Sequence, residues 1–370
     1  MQLRGRKQAV TAGGAVLAMA LLAACSSSSS TTSAGGATSP AAGGGATTSS
    51  AAAASGTINA SGSTFQTNFQ QAAIALFKQS NPNVTVNYGG GGSGKGRSDL
   101  AAGTVLFAGS DTAPIPDKEV ANFKGKQVLY FPVQIGPIAI AYNLSGVSDL
   151  KLDGPTLAGI FQGTIKTWDD PAIKALNSGA SLPGTPITLA VRSDSSGTTQ
   201  NFTKFLTEAT PRWTLGTGST VKFPATAHAA SGGSGVAQVV KSTAGAIGYV
   251  DDSTAKASGL VAASVKNKDG QFVAPSPESA GAAAQSITPT ADLTFSAAWQ
   301  AGASAYPITY QSWDLVYAKQ ANASDAALLK AYLGFLLGQQ GQGLLSELYL
   351  SPLPTAIDQA AVAQLDKITS

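Results

Sequence analysis

From Thr57 to the C-terminus, short apolar runs alternate with segments whose apolar residues recur every three or four positions. A chain with that alternation must bury each helical stripe against a sheet, so the pattern specifies an α/β fold. Strands are expected at Thr57–Ser61, Val84–Tyr88, Val105–Ala108, Val128–Val133, Ile138–Tyr142, Ile187–Val191, Ala246–Val250 and Leu315–Tyr317. Behind the first, Ser63-Thr64-Phe65-Gln66 has the S-x-x-Q form of a capping box. Phe65, Phe69, Ala72, Ala73, Leu76 and Phe77 follow at helical spacing and should face a core. Later helices are expected at Ala326–Leu337 and Gln342–Leu350. No internal repeat is visible, and the 370-residue length suits about two domains.

The first 56 residues do not share this pattern. Arg4, Arg6 and Lys7 precede an apolar run of 14 residues from Ala9 to Leu22. The run is short for a membrane-spanning helix and fits the core of a secretory signal at 1–24. The sole cysteine, Cys25, directly follows Leu22-Ala23-Ala24, which resembles the lipobox of bacterial lipoproteins. That resemblance implies a lipid-modified Cys25 and a cell-membrane anchor on the extracytoplasmic face. After it, Ser26 to Gly56 holds only Ser, Thr, Ala, Gly and Pro40. Such a composition cannot bury a core, so 25–56 reads as a disordered tether with a mean reach of about 30 Å. The net charge of +3 lies wholly in the first seven residues, and what remains balances at 20 positive against 20 negative. Nothing there supplies the clustered basic face that nucleic acid requires. One cysteine excludes an intramolecular disulfide, and one histidine argues against a His-rich metal site.

The chemistry is concentrated where strands give way to helices. Ser63-Thr64-Phe65, Ser93-Gly94 and Ser196-Gly197-Thr198-Thr199 each place small hydroxyl residues or glycine at an expected helix start. Helix starts present unpaired N–H groups and the positive end of the dipole; glycine permits close approach and a hydroxyl adds a donor. Any one of them also fits ordinary capping. Three together, with Arg192 four residues before Ser196, point to a small oxyanion. Arg192 can equally pair with Asp194, and the two readings are compatible, since a carboxylate behind the guanidinium fixes its fork. Asp111 is either a turn cap or a ligand contact. A carboxylate only accepts, so in an anion site it selects a ligand that still carries a proton, such as HPO₄²⁻ or H₂PO₄⁻, over sulfate.

Competing motifs are weaker. Gly89 to Lys95 satisfies G-x-x-x-x-G-K, but Gly96 stands where a P-loop needs Ser or Thr. His228 falls in a stretch of small residues that reads as a surface loop, and there is no G-x-S-x-G elbow for a serine hydrolase. A secreted phosphatase would need a nucleophile with its activator, or metal ligands, and the sequence identifies neither. A binder of sulfate or molybdate is the closer alternative, and Asp111 argues against it.

Taken in order, Ala60-Ser61-Gly62-Ser63-Thr64-Phe65, Asn87-Tyr88 with the glycines to Ser93, Phe107-Ala108-Gly109-Ser110-Asp111, Gly136-Pro137 through Leu144, Arg192 to Thr198 and Gly245 to Val250 resemble the phosphate-binding lipoproteins of bacterial phosphate-specific ABC importers. The resemblance implies the type II periplasmic-binding-protein fold: two α/β lobes joined by hinge strands, with the ligand in the cleft. It places one lobe at 57–133 plus 304–370 and the other at 134–303. It implies inorganic phosphate held by Thr64, Phe65 (through its backbone N–H), Ser93, Asp111, Arg192, Ser196, Gly197 and Thr198, with Asp194 behind Arg192. It further implies a monomer that performs no chemistry, uses no cofactor or metal, and delivers phosphate to a permease driven by an ATPase. Two residues depart from the family pattern. Lys95 stands where a small residue is usual, and Leu350, before Ser351-Pro352-Leu353-Pro354, where tyrosine is common.

Overall fold

The computed structural model describes residues 55–370. The expected signal at 1–24, Cys25 and the tether up to residue 54 lie outside the described residues. The chain enters β1 (Gly56–Gly62) and continues through α1 (Thr67–Ser80), β2 (Val84–Gly89), α2 (Ser93–Ala102), β3 (Phe107–Ser110) and α3 (Asp117–Val120). β4 (Val128–Tyr142) leads to β5 (Lys151–Leu152), α4 (Gly154–Phe161), α5 (Pro171–Leu176), β6 (Thr188–Arg192), α6 (Gly197–Ala209), β7 (His228–Ala230) and α7 (Gly232–Ser242). Then come β8 (Ala246–Asp251), α8 (Asp252–Ala257), β9 (Val261–Ala262), β10 (Ser264–Lys266), β11 (Phe272–Val273) and α9 (Pro277–Ala284). β12 (Thr309–Tyr317) and helices α10 (Ala323–Leu337), α11 (Gln339–Glu347) and α12 (Thr355–Gln364) complete it.

The fold turns on β4. Its first ten residues, Val128–Pro137, pair antiparallel with β12, and the next five, Ile138–Tyr142, pair antiparallel with β8. One strand therefore belongs to two half-sheets. In the first, β2-β1-β3 run parallel and β12 closes against β3. In the second, β7-β6-β8 run parallel and β8 meets β4. The result is a two-lobed α/β protein of type II periplasmic-binding-protein architecture with β4 and β12 at the junction. Crossover helices cover the parallel strands, as parallel pairing requires. Phe69, Ala73 and Phe77 of α1 are buried as their spacing predicts, while Ala72 and Leu76 are half-buried.

Several expectations change. The two runs at 128–133 and 138–142 are one strand, because Gln134-Ile135-Gly136-Pro137 continues the ladder to β12. β12 begins at Thr309, six residues before the apolar run that announced it. β3 starts at Phe107 rather than Val105. His228 is on an edge strand, not in a loop, though it is exposed. Leu350 is fully buried in the core.

Candidate functional site

The capping box does not form. α1 begins at Thr67 with Gln66 at the N-cap and no side-chain cap, so the S-x-x-Q segment is left as a turn between β1 and α1. Ser63 turns away from the helix and donates to Asp111 Oδ1 at 2.6 Å, while its oxygen accepts Phe65 N–H at 3.1 Å. A buried carboxylate without donors costs more than an uncapped helix end, so Asp111 takes the hydroxyl.

Asp111 follows β3 and is 2% exposed. Its Oδ1 also accepts Ser312 Oγ at 2.6 Å, and Oδ2 has Ser93 Oγ at 3.3 Å. Ser93, the first residue of α2, accepts Asp111 N–H at 3.0 Å. Desolvation pushes the Asp111 carboxyl up to about 6, against the opposing pull of Ser312, Ser63, Arg192 and Ser93.

Arg192 ends β6, itself largely buried. Nε donates to Asp194 Oδ1 at 2.7 Å and Nη2 pairs with Asp194 Oδ2, so the fork is held from behind as expected. Nη1 has only a 3.4 Å contact with Thr198 Oγ1. Ser196 caps α6 by accepting Thr199 N–H at 3.1 Å, the ordinary capping role. Helix geometry leaves the Gly197 and Thr198 N–H groups without intrahelical acceptors.

These residues come from both lobes and meet. A Cβ on Gly197 would collide with Ser93 Oγ and stand 2.6 Å from Asp111 Cβ. Asn201 Nδ2 donates to Asp111 O at 2.7 Å, and Gly94 N–H to Ser195 O at 3.0 Å. Thr64 lies against the start of α7, where its Oγ1 accepts Gly233 N–H at 3.4 Å. Ser63-Thr64-Phe65, Ser93, Asp111 and Arg192 to Thr198 are thus brought to one inter-lobe cleft. The Phe65 N–H in that cleft is engaged with Ser63 Oγ, and its ring stacks on Tyr310 at 3.9 Å. Lys95 sits at the rim, exposed and paired with Asp99.

Sequence reasoning missed four contributors. Ser312, Gln66 and Tyr310 are buried polar residues from β12 and the turn before α1, and Gly232-Gly233 supplies a fourth helix start. The Ser231-Gly232-Gly233 run repeats the Ser-Gly signature of the other helix starts and was readable in principle. The buried Tyr310 hydroxyl has no hydrogen-bond partner among the described residues. Nor do the described residues contain a cluster of three or more His, Cys, Asp or Glu placed to hold a metal ion.

Two α/β lobes sharing crossing strands, with donors from both converging on one cleft, define a substrate-binding protein of the two-lobed type. A family model described as a PBP superfamily domain matches residues 47–340. The chain is 39% identical over 309 residues to a phosphate-binding protein, PstS 3, of Mycobacterium leprae, covering 80% of this chain and 83% of that one. It is 36% identical to PstS of Pasteurella multocida, covering 83% and 89% respectively. The chain belongs to the PstS family of phosphate-binding proteins within the PBP superfamily. Among solved structures, a high-affinity periplasmic phosphate-binding protein bound with phosphate matches with a TM-score of 0.70 at 22% identity, over 84% of this chain and 94% of that one. A phosphate-binding protein of Stenotrophomonas maltophilia matches with a TM-score of 0.68 at 20% identity, over 84% and 94%. At those identities the likeness concerns the fold.

Proposed function

We propose that this protein captures inorganic phosphate in the inter-lobe cleft and delivers it to the permease and ATPase of an ABC-type importer. The observation that carries the reading is Asp111. It is a buried acceptor set opposite a buried guanidinium and the start of α6, an arrangement that suits an anion bearing its own proton. Thr64, Phe65, Ser93, Asp111, Arg192, Ser196, Gly197 and Thr198 line the ligand, and Asp194 steadies Arg192. Phosphate is gripped between a lobe at 57–133 plus 304–370 and one at 134–303. Both named relatives are called phosphate-binding proteins, which supports binding over catalysis. Residues 1–24 direct export, and lipidated Cys25 with its tether keeps the domain near the outer membrane-facing surface of the permease. Among the described residues no helix is long and apolar enough to cross a membrane.

Titration calorimetry of the folded domain with phosphate and sulfate tests this reading. Phosphate should bind at least about 100-fold more tightly, because an unpaired carboxylate costs a bound sulfate several kcal/mol. Asp111→Asn should narrow the gap, since an amide can donate to sulfate. Equal affinities in the parent would sink the reading in favour of a general oxyanion binder, and turnover of a phosphoester that is lost in Arg192→Ala would replace it with an enzyme.

A further inference from the structure

Asp111 receives its hydroxyl donors unevenly. Oδ1 accepts two, from Ser63 and Ser312, each at 2.6 Å, whereas Oδ2 has only Ser93 at 3.3 Å. A serine hydroxyl has a single proton, and an N–H already bound to its oxygen dictates where that proton goes. Ser63 Oγ accepts Phe65 N–H at 3.1 Å, and Ser312 Oγ accepts Gln66 Nε2 at 2.8 Å. Both protons are therefore directed at Oδ1. Gln66 is itself held: Nε2 also donates to Trp313 O at 3.0 Å, and Oε1 accepts Gln70 Nε2 at 3.1 Å. Gln70 Oε1 in turn accepts Tyr332 O–H at 2.7 Å. The ladder between β4 and β12 is irregular at this serine, with Ser312 opposite Gln134 and Trp313 opposite Pro132. Such bulges re-aim side chains beside functional sites.

We propose that Ser312 and Gln66 are specificity-determining positioning residues, which with Ser63 commit Oδ1 to protein hydroxyls and reserve Oδ2 of an ionised Asp111 for the ligand's proton. The inference rests on the reading that Asp111 faces phosphate. Its consequence is selectivity. With one donor removed, the carboxyl, already raised by desolvation to about 6, is pushed further up and holds its own proton closer to neutral pH. Oδ2 then carries an O–H that donates to a fully ionised anion, and sulfate is no longer refused. Of the titratable groups around Asp111, Asp314 on β12, reached through Gln70, is raised by burial to about 8 and ionises only at the alkaline end of this range; the others hold their state. Arg192 on β6 stays charged, and the phenols of Tyr88 on β2 and Tyr310 on β12 are raised by burial and stay neutral. Nearby, Arg97 of α2 is paired with Glu119, and Lys204 of α6 with Glu208.

The test compares the parent, Ser312→Ala, Gln66→Met and Ser312→Thr by calorimetry with phosphate and sulfate between pH 6 and 8.5, with a melting scan of each. Ser312→Ala and Gln66→Met should lower the phosphate-to-sulfate affinity ratio by about tenfold or more at pH 7, chiefly by strengthening sulfate. The ratio should recover toward pH 8.5 as Asp111 ionises, and Ser312→Thr, which keeps the hydroxyl, should match the parent. Ratios within about twofold of the parent in both variants would overturn the proposal, as would an equal loss for both anions, or failure of both to fold. A parent with no preference for phosphate would instead overturn the functional reading beneath it.

Discussion

Arg192 is the one cation that β6 delivers to the cleft, and Asp194 consumes two of its three nitrogens. Asp194 is fixed in turn by Gly232 N–H at 3.1 Å, which ties the start of α7 to the same carboxylate. Desolvation opposes ionisation there, yet the Arg192 hydrogen bond and charge hold the Asp194 carboxyl below its ordinary value. The pair is therefore an oriented fork with Nη1 as its free edge. Arg192→Lys keeps the charge but cannot reach Asp194 and the ligand with separate planar donors. Phosphate affinity in a calorimetric titration should fall by about 100-fold. A loss of about threefold or less would mean that charge alone is what the cleft uses. This much was legible in the sequence, because Arg192, Asp194 and Ser196 lie on one continuous strand–turn–helix segment. Ser312 and Gln66 were not legible. Ser312 reaches Asp111 across 201 residues of chain and Gln66 reaches Ser312 across 246, and nothing local to either marks such a partner.

At the scale of elements, the same limit explains where strand boundaries were misread. β12 carries Thr309, Gln311, Ser312 and Asp314 in a nine-residue strand, and all four are buried. Alternation of apolar and polar residues cannot reveal a strand whose polar side chains face inward on both sides; the apolar run Leu315-Val316-Tyr317 was the cue, and it marks only the strand's end. Ser63 was misassigned for a related reason. Its local pattern favours a cap, and a long-range buried carboxylate outbids it. α6, by contrast, was placed correctly because Ser196 both caps it and opens onto Gly197. Gly197 tests how closely the lobes must approach. Its backbone is helical, so Ala is conformationally acceptable and a better helix former. Its Cβ would nevertheless collide with Ser93 Oγ and Asp111 Cβ from the opposite lobe. Gly197→Ala should leave the melting temperature of the ligand-free protein within about 2 °C while weakening phosphate by about 100-fold or more. Small-angle scattering should show no compaction when phosphate is added. Unaltered affinity would mean that the lobes close with more slack than the contacts at Gly197 imply.

For the molecule as a whole, capture of an anion without a basic surface has a price in stability that pH exposes. The folded domain buries carboxyls whose desolvation raises them from 3.8 to about 6 at Asp111 and Asp252 and to about 8 at Asp314. In the unfolded chain each ionises near its ordinary value, so between there and the folded value the folded state holds the extra proton. Raising pH across that window favours unfolding, by at most about 1.4 kcal/mol per pH unit for each group. Asp99 and Asp194 are lowered and act oppositely, losing their contribution only as the medium becomes more acidic than the ordinary carboxylate range. Stability of the ligand-free protein should therefore peak in mild acid and decline from pH 5 to 8. Asp314 has the longest window and no contact with the cleft residues beyond the Gln70–Gln66 amides. Asp314→Asn mimics its neutral form and should remove most of the decline between pH 6 and 8, leaving the fall from pH 5 to 6 in place. Thermal scans of both proteins at half-unit steps would read this directly. A melting temperature that stays level or rises from pH 5 to 8 in the parent would show that these buried carboxyls ionise without cost, and the clamp on Asp111 would then have no raised proton affinity to restrain.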